Sequence, residues 1–385
     1  MRKLLKSNTL NILFLFLVWR ILLIIFFLIG VSFIPLAYTD RFLGGGPIYH
    51  FIYPELFSWA NFDGEHYLSI AIFGYKSLQQ AFFPMYPLLI YVISKPFYAD
   101  LLTSLTSATI TGLLISNLSL ALSLLLLFKL VNIDYSKRIA YWVVILTLVF
   151  PTSFYFGLVY SESLYLLLSL GAFYAARKNM WWLVAVLGGI CSATRIFGLL
   201  IFPALVIEAW QQKSIKKNFL FLCLLPAGFL IYMFYQWISV GDPLAFYNLQ
   251  KIVGEQHQSG ITLLPQIYYR YVKILFSLDV NNIMYQTIVL ELLTGLAFFI
   301  LPIYGYVKGI RLSYIFYALT AFILPTIQGS LSSLPRYVIV LFPSFLALAI
   351  FLNKFPLYIK ISILVILFLF LSLETALFLR GYWVA

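Results

Sequence analysis

Long apolar runs separated by short polar clusters dominate this chain of 385 residues. A helix of about 20 apolar residues is long enough to cross the hydrocarbon core of a bilayer. The pattern predicts eleven apolar segments, at residues 10–35, 106–129, 139–156, 160–176, 181–193, 197–210, 219–239, 286–307, 312–328, 338–353 and 359–379. Two short ones, 181–193 and 197–210, could form a shallow hairpin. The sequence therefore predicts an all-α polytopic membrane protein with about 11 transmembrane helices, in a single domain of residues 1–385.

The positions of the basic residues predict how these segments are oriented. The positive-inside rule assigns clusters of Lys and Arg to the cytoplasm. Six such clusters lie within Met1–Lys6, Lys129–Arg138, Arg177–Lys178, Lys213–Lys217, Lys308–Arg311 and Lys354–Lys360. We expect a cytoplasmic N-terminus on an uncleaved first helix, because its apolar run is longer than that of a signal peptide. The odd number of segments then puts the C-terminus outside.

Two long loops, 36–105 and 240–285, fall on the extracytoplasmic face under this topology. In the first loop, three prolines interrupt the amphipathic stretch Phe82–Phe97. Proline interrupts helices, so this stretch predicts short helices lying in the membrane interface. The sequence shows no convincing internal repeat and no low-complexity linker.

Composition supports the membrane interpretation and excludes nucleic acid as a partner. Hydrophobic residues make up 63% of the chain and charged residues 10%, with a mean hydropathy of +0.98. A soluble domain is about half apolar and about a quarter charged. The net charge of +12 is explained by the basic clusters between apolar runs. The two cysteines, Cys191 and Cys223, lie in apolar segments and are interpreted as packing residues.

A charge at the bilayer centre costs about 2.5–3.5 kcal/mol on insertion scales, so six charged residues inside or beside apolar runs are candidates for a functional role. They are Arg20, Glu162, Arg195, Glu291, Arg336 and Glu374. Glu162, Arg195 and Arg336 fall near the outer ends of predicted helices, which suggests a shared site there. The other three are interpreted as packing or pairing residues. A second explanation of Glu162 remains open, because a helix capped by Ser161 would favour an acid in its first turn.

The most informative stretch is the acidic motif of the first loop. It reads Asn61-Phe62-Asp63-Gly64-Glu65-His66-Tyr67-Leu68 and is followed by Gly74-Tyr75 and Ala81-Phe82-Phe83-Pro84. On an extended backbone, residues at i and i+2 point to the same side. Asp63 and Glu65 would then form a pair that serves as a general base with an orienting or metal-binding partner.

These residues resemble the first-loop motif of the GPI mannosyltransferase II family and its prokaryotic relatives, in the glycosyltransferase C superfamily. Further stretches that resemble the family are Phe150-Pro151-Thr152-Ser153, Tyr160-Ser161-Glu162-Ser163-Leu164, Ala193-Thr194-Arg195 with Gly198, and Leu334-Pro335-Arg336-Tyr337. Members usually carry Trp where this chain has Phe62, and Asn-Gly where it has Ile196-Phe197-Gly198. The matches span roughly residues 60 to 345.

The resemblance implies a glycosyltransferase C-like fold and an inverting enzyme on the extracytoplasmic face. Its donor would be a polyprenyl-phosphate-linked (dolichyl-phosphate-linked) hexose, typically mannose. Asp63 would be the base that deprotonates the acceptor hydroxyl, with Glu65 orienting it. Cationic groups would stabilise the phosphate leaving group. The residues expected to bind substrate are His66, Tyr67, Glu162, Arg195, His257 and Arg336.

Several alternatives stay open at this level. The donor could carry another sugar, such as glucose or arabinose, and the protein could instead be a transporter or flippase of lipid-linked intermediates or a non-catalytic subunit. The acceptor could be a glycan, a glycolipid or a protein. No cofactor is certain, and a divalent cation is possible. The membrane could be the plasma membrane of a prokaryote or that of the endoplasmic reticulum.

Overall fold

A computed structural model describes residues 2–37, 52–253, 262–280, 282, 284–327 and 329–384. Throughout these residues the chain forms helices and turns and no β-strand. The helices of eight residues or more are α1 Arg2–Phe33, α2 Asp63–Phe73, α3 Met85–Ser94, α4 Leu101–Asp134, α5 Lys137–Val149, α6 Glu162–Arg177, α7 Trp181–Ser192, α8 Phe197–Gln211, α9 Ile215–Cys223, α10 Ala227–Val240, α11 Ala245–Val253, α12 Leu264–Ser277, α13 Met284–Val307, α14 Leu312–Thr326, α15 Phe342–Leu352 and α16 Leu357–Leu379. The predicted all-helical class is confirmed for the described part of the chain.

Five helical segments within the described ranges are long and apolar enough to cross a membrane: Asn8–Phe33, Leu101–Asp134, Ile215–Val240, Met284–Val307 and Leu357–Leu379. A sixth is possible if Leu334–Val340 and α15, which meet at 84°, form one span. Helices α7, α8 and α14 are apolar but shorter. The chain is therefore an integral membrane protein, while the total of eleven crossings stays a prediction.

Prolines account for the places where the structure departs from the predicted segments. The segment 139–156 is not one helix, because α5 ends at Val149 and a 3-10 turn follows at Ser153–Gly157. Pro151 restricts the residue before it and lacks the N–H that a continuing helix needs. In the first loop, α3 ends before the 3-10 turn Lys95–Phe97 that contains Pro96, as the sequence predicts.

The longest helix, α4, has 34 residues and forms a column of about 51 Å at 1.5 Å per residue. Its start is fixed by a capping box, in which the Thr103 N–H donates to the Asp100 carboxylate at 2.8 Å and the Asp100 N–H donates to the Thr103 hydroxyl at 2.9 Å. Helices α1, α3, α5 and α6 all pack against this column. The depth of any other feature can therefore be measured along it.

Shorter helices follow α4, and two of them, α5 and α6, pack directly against it. Helix α5 has 13 residues, α6 has 16, α7 has 12 and α8 has 15, so each is only about 18–24 Å long. Ser116, about 22 Å from the start of α4, donates to the Tyr160 carbonyl oxygen at 3.0 Å. The Tyr86 hydroxyl lies 2.8 Å from the Ser116 hydroxyl. The turn before α6 and the start of α3 therefore lie about halfway down the molecule.

Candidate active site

The acidic motif begins helix α2, with Asp63 as its first residue. Phe62, just before it, has φ +59°, an unusual conformation for a bulky residue. Its ring packs against Phe378 at 5.3 Å and Trp383 at 5.6 Å, measured between ring centroids. Asn61 donates to the Phe378 carbonyl at 3.0 Å and accepts from the Tyr160 hydroxyl at 2.8 Å through its own carbonyl. These contacts fix the strained backbone that aims Asp63.

The helical start of α2 overturns the expectation that Asp63 and Glu65 lie on an extended backbone and share a side. The Glu65 N–H donates to the Phe62 carbonyl at 3.0 Å and closes a helical turn. Residues at i and i+2 do not face each other on a helix. Packing around Gly64 between them is tight, because a Cβ there would meet the Val159 carbonyl oxygen at 3.3 Å. The two carboxylates therefore point in different directions.

Asp63 instead belongs to a cluster of two acids and two arginines. The Arg336 Nη1 lies 2.6 Å from the Asp63 Oδ2, and the Arg336 Nε lies 2.6 Å from the Glu162 Oε1. The Arg195 Nη1 lies 2.5 Å from the same Glu162 oxygen. The structure thus brings together four of the sequence-predicted residues, which are up to 273 positions apart along the chain. Their formal charges sum to zero.

Burial makes this cluster an electrostatically strong site. The side chains of Glu162 and Arg336 are 1% and 7% exposed, whereas that of Asp63 is 30% exposed. Charges so far from water interact more strongly than surface pairs. The Oε2 of Glu162 is buried and has no hydrogen-bond partner among the described residues. The cluster is therefore open toward solvent at Asp63 and closed at Glu162.

Aromatic residues surround the two guanidinium groups. The Arg336 Cζ lies 4.6 Å from the centre of the Tyr160 ring and 5.2 Å from that of Tyr155. Each ring presents an electron-rich face to the cation. Sequence reasoning missed both tyrosines as site residues, although each lies in or beside the stretches that carry the family resemblance. The available signal was the position of Tyr160 two residues before Glu162, a charged residue in an apolar run.

Ser161 does not cap α6 in the way that the second explanation of Glu162 requires. Its side chain makes no capping hydrogen bond, although α6 begins at Glu162. The Ser161 hydroxyl lies instead 2.8 Å from the Tyr67 hydroxyl and accepts from the Arg195 Nη1 at 3.3 Å. Burial raises the pKa of Tyr67, so its hydroxyl stays neutral and acts as a hydrogen-bonding group. Ser161 therefore joins Tyr67 to the arginine cluster.

Of the two histidines expected to bind substrate, the structure describes only His66. The exposed His66 ring stacks on Phe82 with centroids 4.7 Å apart. Desolvation of this ring lowers the pKa of His66 below its ordinary 6.5, and the Asp63 carboxylate opposes that shift. His66 is therefore neutral at pH 7 and one turn away from Asp63. The other histidine expected to bind substrate, His257, lies outside the described residues.

The remaining charges in apolar runs have separate surroundings. Arg20 donates to the Gly157 carbonyl at 3.1 Å, and its Cζ lies 4.1 Å from the centre of the Trp59 ring. Glu291 accepts hydrogen bonds from two groups near Arg336. Glu374 is fully buried, and neither carboxylate oxygen has a hydrogen-bond partner among the described residues. The pairing interpretation therefore fits the first two of these residues.

An apolar groove lies next to the backbone turn that leads to Arg195. It has a volume of about 1140 Å³ and is lined by parts of α2, α3, α7, α9 and α10. Ala193 forms part of its wall and lies two residues before Arg195. The Met85 N–H, also in the wall, donates to the Ala193 carbonyl at 3.1 Å. The groove and the anion-binding side chains therefore share one turn of backbone.

No three His, Cys, Asp or Glu side chains cluster as metal ligands in the part of the chain that the structure describes. Charged side chains inside a membrane protein mark a candidate functional site, and guanidinium groups are suited to bind anionic groups such as phosphates.

The family model Mannosyltransferase (PIG-V) matches residues 12–233, more than half of the chain. The chain therefore belongs to the PIG-V mannosyltransferase family, as the sequence motifs predict, and it is a membrane glycosyltransferase. The matched region includes Asp63, Glu162 and Arg195, and Arg336 lies beyond it. No curated protein sequence is significantly similar to the chain.

Two crystal structures of the Archaeoglobus fulgidus oligosaccharyltransferase are similar to this chain. One is tethered to an acceptor peptide containing the NVT sequon, with 13% identity and a TM-score of 0.47. The other is a complex with Zn and sulfate, with 14% identity and a TM-score of 0.42. Each similarity covers 94% of this chain but only 55% and 53% of the respective neighbour. The chain thus spans about half the length of that enzyme.

Proposed function

We propose that this enzyme transfers a hexose, with mannose as the first expectation, from a polyprenyl-phosphate donor to an acceptor hydroxyl with inversion. The observation that carries the proposal is the contact of Asp63 with Arg336 at 2.6 Å, beside Arg195 and an apolar groove. A base, two anion-binding groups and a lipid-compatible surface are the parts that such a transfer needs. Glycosyltransferase activity follows from the family, and the donor, acceptor and stereochemistry are the proposal.

The chemistry can be written on these residues. Asp63 accepts the proton of the acceptor hydroxyl while the acceptor oxygen bonds to the anomeric carbon of the sugar. The bond from that carbon to the phosphate oxygen breaks, and its electron pair leaves with the polyprenyl phosphate. Arg336 and Arg195 stabilise the charge that develops on this leaving group. Attack from the face opposite the phosphate inverts the anomeric centre.

The accessible part of the cluster supports the assignment of Asp63 as the base. Its side chain is 30% exposed, so an acceptor can reach it, whereas Glu162 is 1% exposed and holds both arginines. Glu162 is therefore better suited to orient the guanidinium groups than to exchange protons with a substrate. The exposed His66 ring stacked on Phe82 offers a flat surface beside Asp63 for a sugar ring. The roles of Glu65 and His257 stay predictions.

The groove supports a lipid-linked donor. Its walls are formed by apolar side chains and aromatic rings, including Leu88, Ile190, Ile231 and Tyr235. Burying an apolar chain in such a groove is favourable, whereas a nucleotide sugar would gain little there. A polyprenyl chain in the groove would bring its phosphate to the backbone turn that carries Arg195.

The distribution of charge supports an extracytoplasmic site. Asp134 ends α4 and Arg177 ends α6, and these two residues form an ion pair. This pair lies about 27 Å along α4 from Ser116, which marks the depth of the site. The positive-inside rule assigns the end with Arg177, Lys137 and their basic neighbours to the cytoplasm. The opposite half of the molecule then faces away from the cytoplasm, and the proposal places the opening at Asp63 on that side.

The test uses purified protein in lipid nanodiscs with radiolabelled polyprenyl-phosphate mannose or glucose and a membrane-lipid extract as the source of acceptor. We expect Asp63→Asn to lower transfer by about 10²–10⁴-fold, the usual contribution of a general base. Asp134→Asn is the matched control, because Asp134 also pairs with an arginine and its side chain is also 30% exposed. We expect this control to transfer sugar at a rate close to that of the unchanged protein.

Two results would overturn the proposal. Transfer by Asp63→Asn at the rate of the unchanged protein would remove Asp63 from the mechanism. Movement of the labelled lipid across proteoliposome membranes, without sugar transfer by the unchanged protein, would favour a transporter. Preference for glucose over mannose would keep the mechanism and change the sugar.

A further inference from the structure

Glu291 is a buried carboxylate outside the arginine cluster, and it is connected to that cluster through the backbone segment that leads to Arg336. It lies in α13 and is 2% exposed. Its Oε2 accepts from the Tyr271 hydroxyl at 2.8 Å, and its Oε1 accepts from the Ser333 backbone N–H at 3.2 Å. The Tyr271 hydroxyl in turn accepts from the Leu331 N–H at 3.0 Å. One side chain thus holds two points of the segment that leads to Arg336.

Ser333 has a backbone conformation that a serine adopts at a cost. Its φ is +60° and its ψ is 5°, the left-handed region that favours glycine. Its carbonyl oxygen accepts from the Arg336 N–H and the Tyr337 N–H, both at 3.1 Å. The left-handed residue therefore starts the short helical turn Leu334–Tyr337, which carries the arginine. A bond that stabilises this conformation also sets the direction in which the turn begins.

A second hydrogen bond holds this turn at Pro335. The Thr152 hydroxyl donates to the Pro335 carbonyl at 2.6 Å. The Arg336 side chain can then reach Asp63 and Glu162 at 2.6 Å each. Such short bonds to two separate carboxylates require a fixed backbone, because a guanidinium is a rigid fork. Glu291 and Thr152 together hold this backbone, Glu291 at Ser333 and Thr152 at Pro335.

We infer that Glu291 is a positioning residue for Arg336: its bond to the Ser333 N–H holds the left-handed turn that aims this arginine at the leaving-group site. The inference rests on the proposed function, in which Arg336 binds the donor phosphate. Through Tyr271, the same carboxylate joins α12, from the second long loop, to the site. A merely space-filling carboxylate would need neither the bond to Ser333 nor the left-handed conformation.

Glu291→Leu removes both acceptor oxygens while keeping a side chain of similar size. We expect kcat/KM for the donor to fall about tenfold, the loss of about 1.4 kcal/mol that one such bond is worth. Glu291→Gln keeps one carbonyl oxygen for the Ser333 N–H, so we expect it to stay within about threefold of the unchanged protein. Adding Ser333→Gly to Glu291→Leu should restore most of the loss, because glycine adopts φ +60° without strain.

Hydrogen–deuterium exchange gives a readout that does not depend on sugar transfer. We expect faster exchange of the amides of residues 330–337 in Glu291→Leu and a return toward normal rates in Glu291→Gln. Ser313→Ala is the control, because it removes a 2.6 Å bond to another buried carboxylate, Glu208, far from Arg336. This control should change neither kcat/KM for the donor nor exchange at 330–337.

The outcomes separate the inference from the proposed function. Absence of transfer by the unchanged protein would refute the function, while the exchange data would still report on the Glu291–Ser333 bond. If the unchanged protein transfers sugar and Glu291→Leu does so equally well, Glu291 does not position Arg336. An equal loss in Glu291→Gln would show that the carboxylate acts through its charge, and no recovery with Ser333→Gly would show that the left-handed turn is not what Glu291 holds. Either result would make the inference wrong.

Discussion

Arg336 offers the strictest test of the site, because its guanidinium contacts two carboxylates with two different nitrogens. Nη1 contacts Asp63 and Nε contacts Glu162, both at 2.6 Å, and the side chain is 7% exposed. Lysine has a single ammonium group and cannot reproduce this fork. Arg336→Lys therefore keeps the charge and removes the geometry, whereas Arg336→Met removes both.

The expected magnitudes follow from these contacts. Removing one preorganised donor to a developing negative charge typically lowers kcat by about 10²–10³, or about 2.7–4 kcal/mol, which is the loss expected for Arg336→Met. Arg336→Lys should lose less, about 10–10², because a positive charge remains. Arg336→Met also leaves the buried Glu162 with one cation, and breaking a buried pair costs about 3–5 kcal/mol of stability. The lysine variant is therefore the more informative for catalysis.

The assay measures initial rates of sugar transfer over a range of donor concentrations, together with thermal unfolding in the same nanodiscs. Arg177→Lys is the matched control, because Arg177 binds both oxygens of Asp134 and its side chain is 10% exposed. We expect the control to lose thermal stability and to keep its rate. A rate of Arg336→Lys within about twofold of the unchanged protein would refute the argument that the fork geometry stabilises the leaving group.

Three further predictions concern the surroundings of the cluster. Gly198→Ala places a Cβ 2.2 Å from the Cys191 carbonyl oxygen, so thermal unfolding should show a loss of about 1–3 kcal/mol of stability, and the rate of sugar transfer should fall as well. Gly189→Ala should show neither loss, because its Cβ meets its nearest atom at 3.4 Å. Ala227→Trp narrows the groove, so KM for a long-chain polyprenyl donor should rise about tenfold, whereas KM for a short-chain analogue should stay unchanged. Equal effects on both donors would contradict the proposal that the groove binds the polyprenyl chain. Because the pKa of His66 is lowered from 6.5, the unfolded chain takes up the His66 proton at a higher pH than the folded chain does, so the contribution of neutral His66 to stability is present above about pH 6.5 and is lost as the pH falls. His66→Gln should therefore reduce the pH dependence of the melting temperature between about pH 6.5 and 5. Parallel curves for the variant and the unchanged protein would show that His66 does not cause this dependence.

Much of the helical layout could be predicted because it depends on local information. Apolar runs set α13 and α16 within about two residues of their predicted bounds. In the first loop, Pro84 precedes α3 and Pro96 follows it, as predicted, but Pro87 does not break the helix, because the third residue of a helix has no intrahelical partner for its N–H. These features need only the residues within one or two turns. The charges in apolar runs were also informative for Glu162, Arg195 and Arg336, because ion pairs offset the cost of burying them.

The details of the site could not be predicted, because they depend on contacts between distant residues. Ser161 has the chemistry of a helix cap, but the hydroxyl of Tyr67 and Arg195 compete for it. Asp63 and Glu65 begin a helix because the strained Phe62 is held by rings from the C-terminal part of the chain. The link from Glu291 to Ser333 crosses 42 residues and leaves no local pattern. Such pairings appear only once the helices are packed.

The halfway depth of Ser116 along α4 has a consequence for side reactions. Water is the most abundant competitor for an activated sugar, and an enzyme that admits it freely would act as a hydrolase. As whole residues, Arg336 is 6% exposed and Glu162 is 1% exposed. In the proposed mechanism the acceptor binds at Asp63, whose side chain is 30% exposed, and would exclude water from that carboxylate. Recessing the chemistry in this way favours synthesis of a glycoside over waste of the donor.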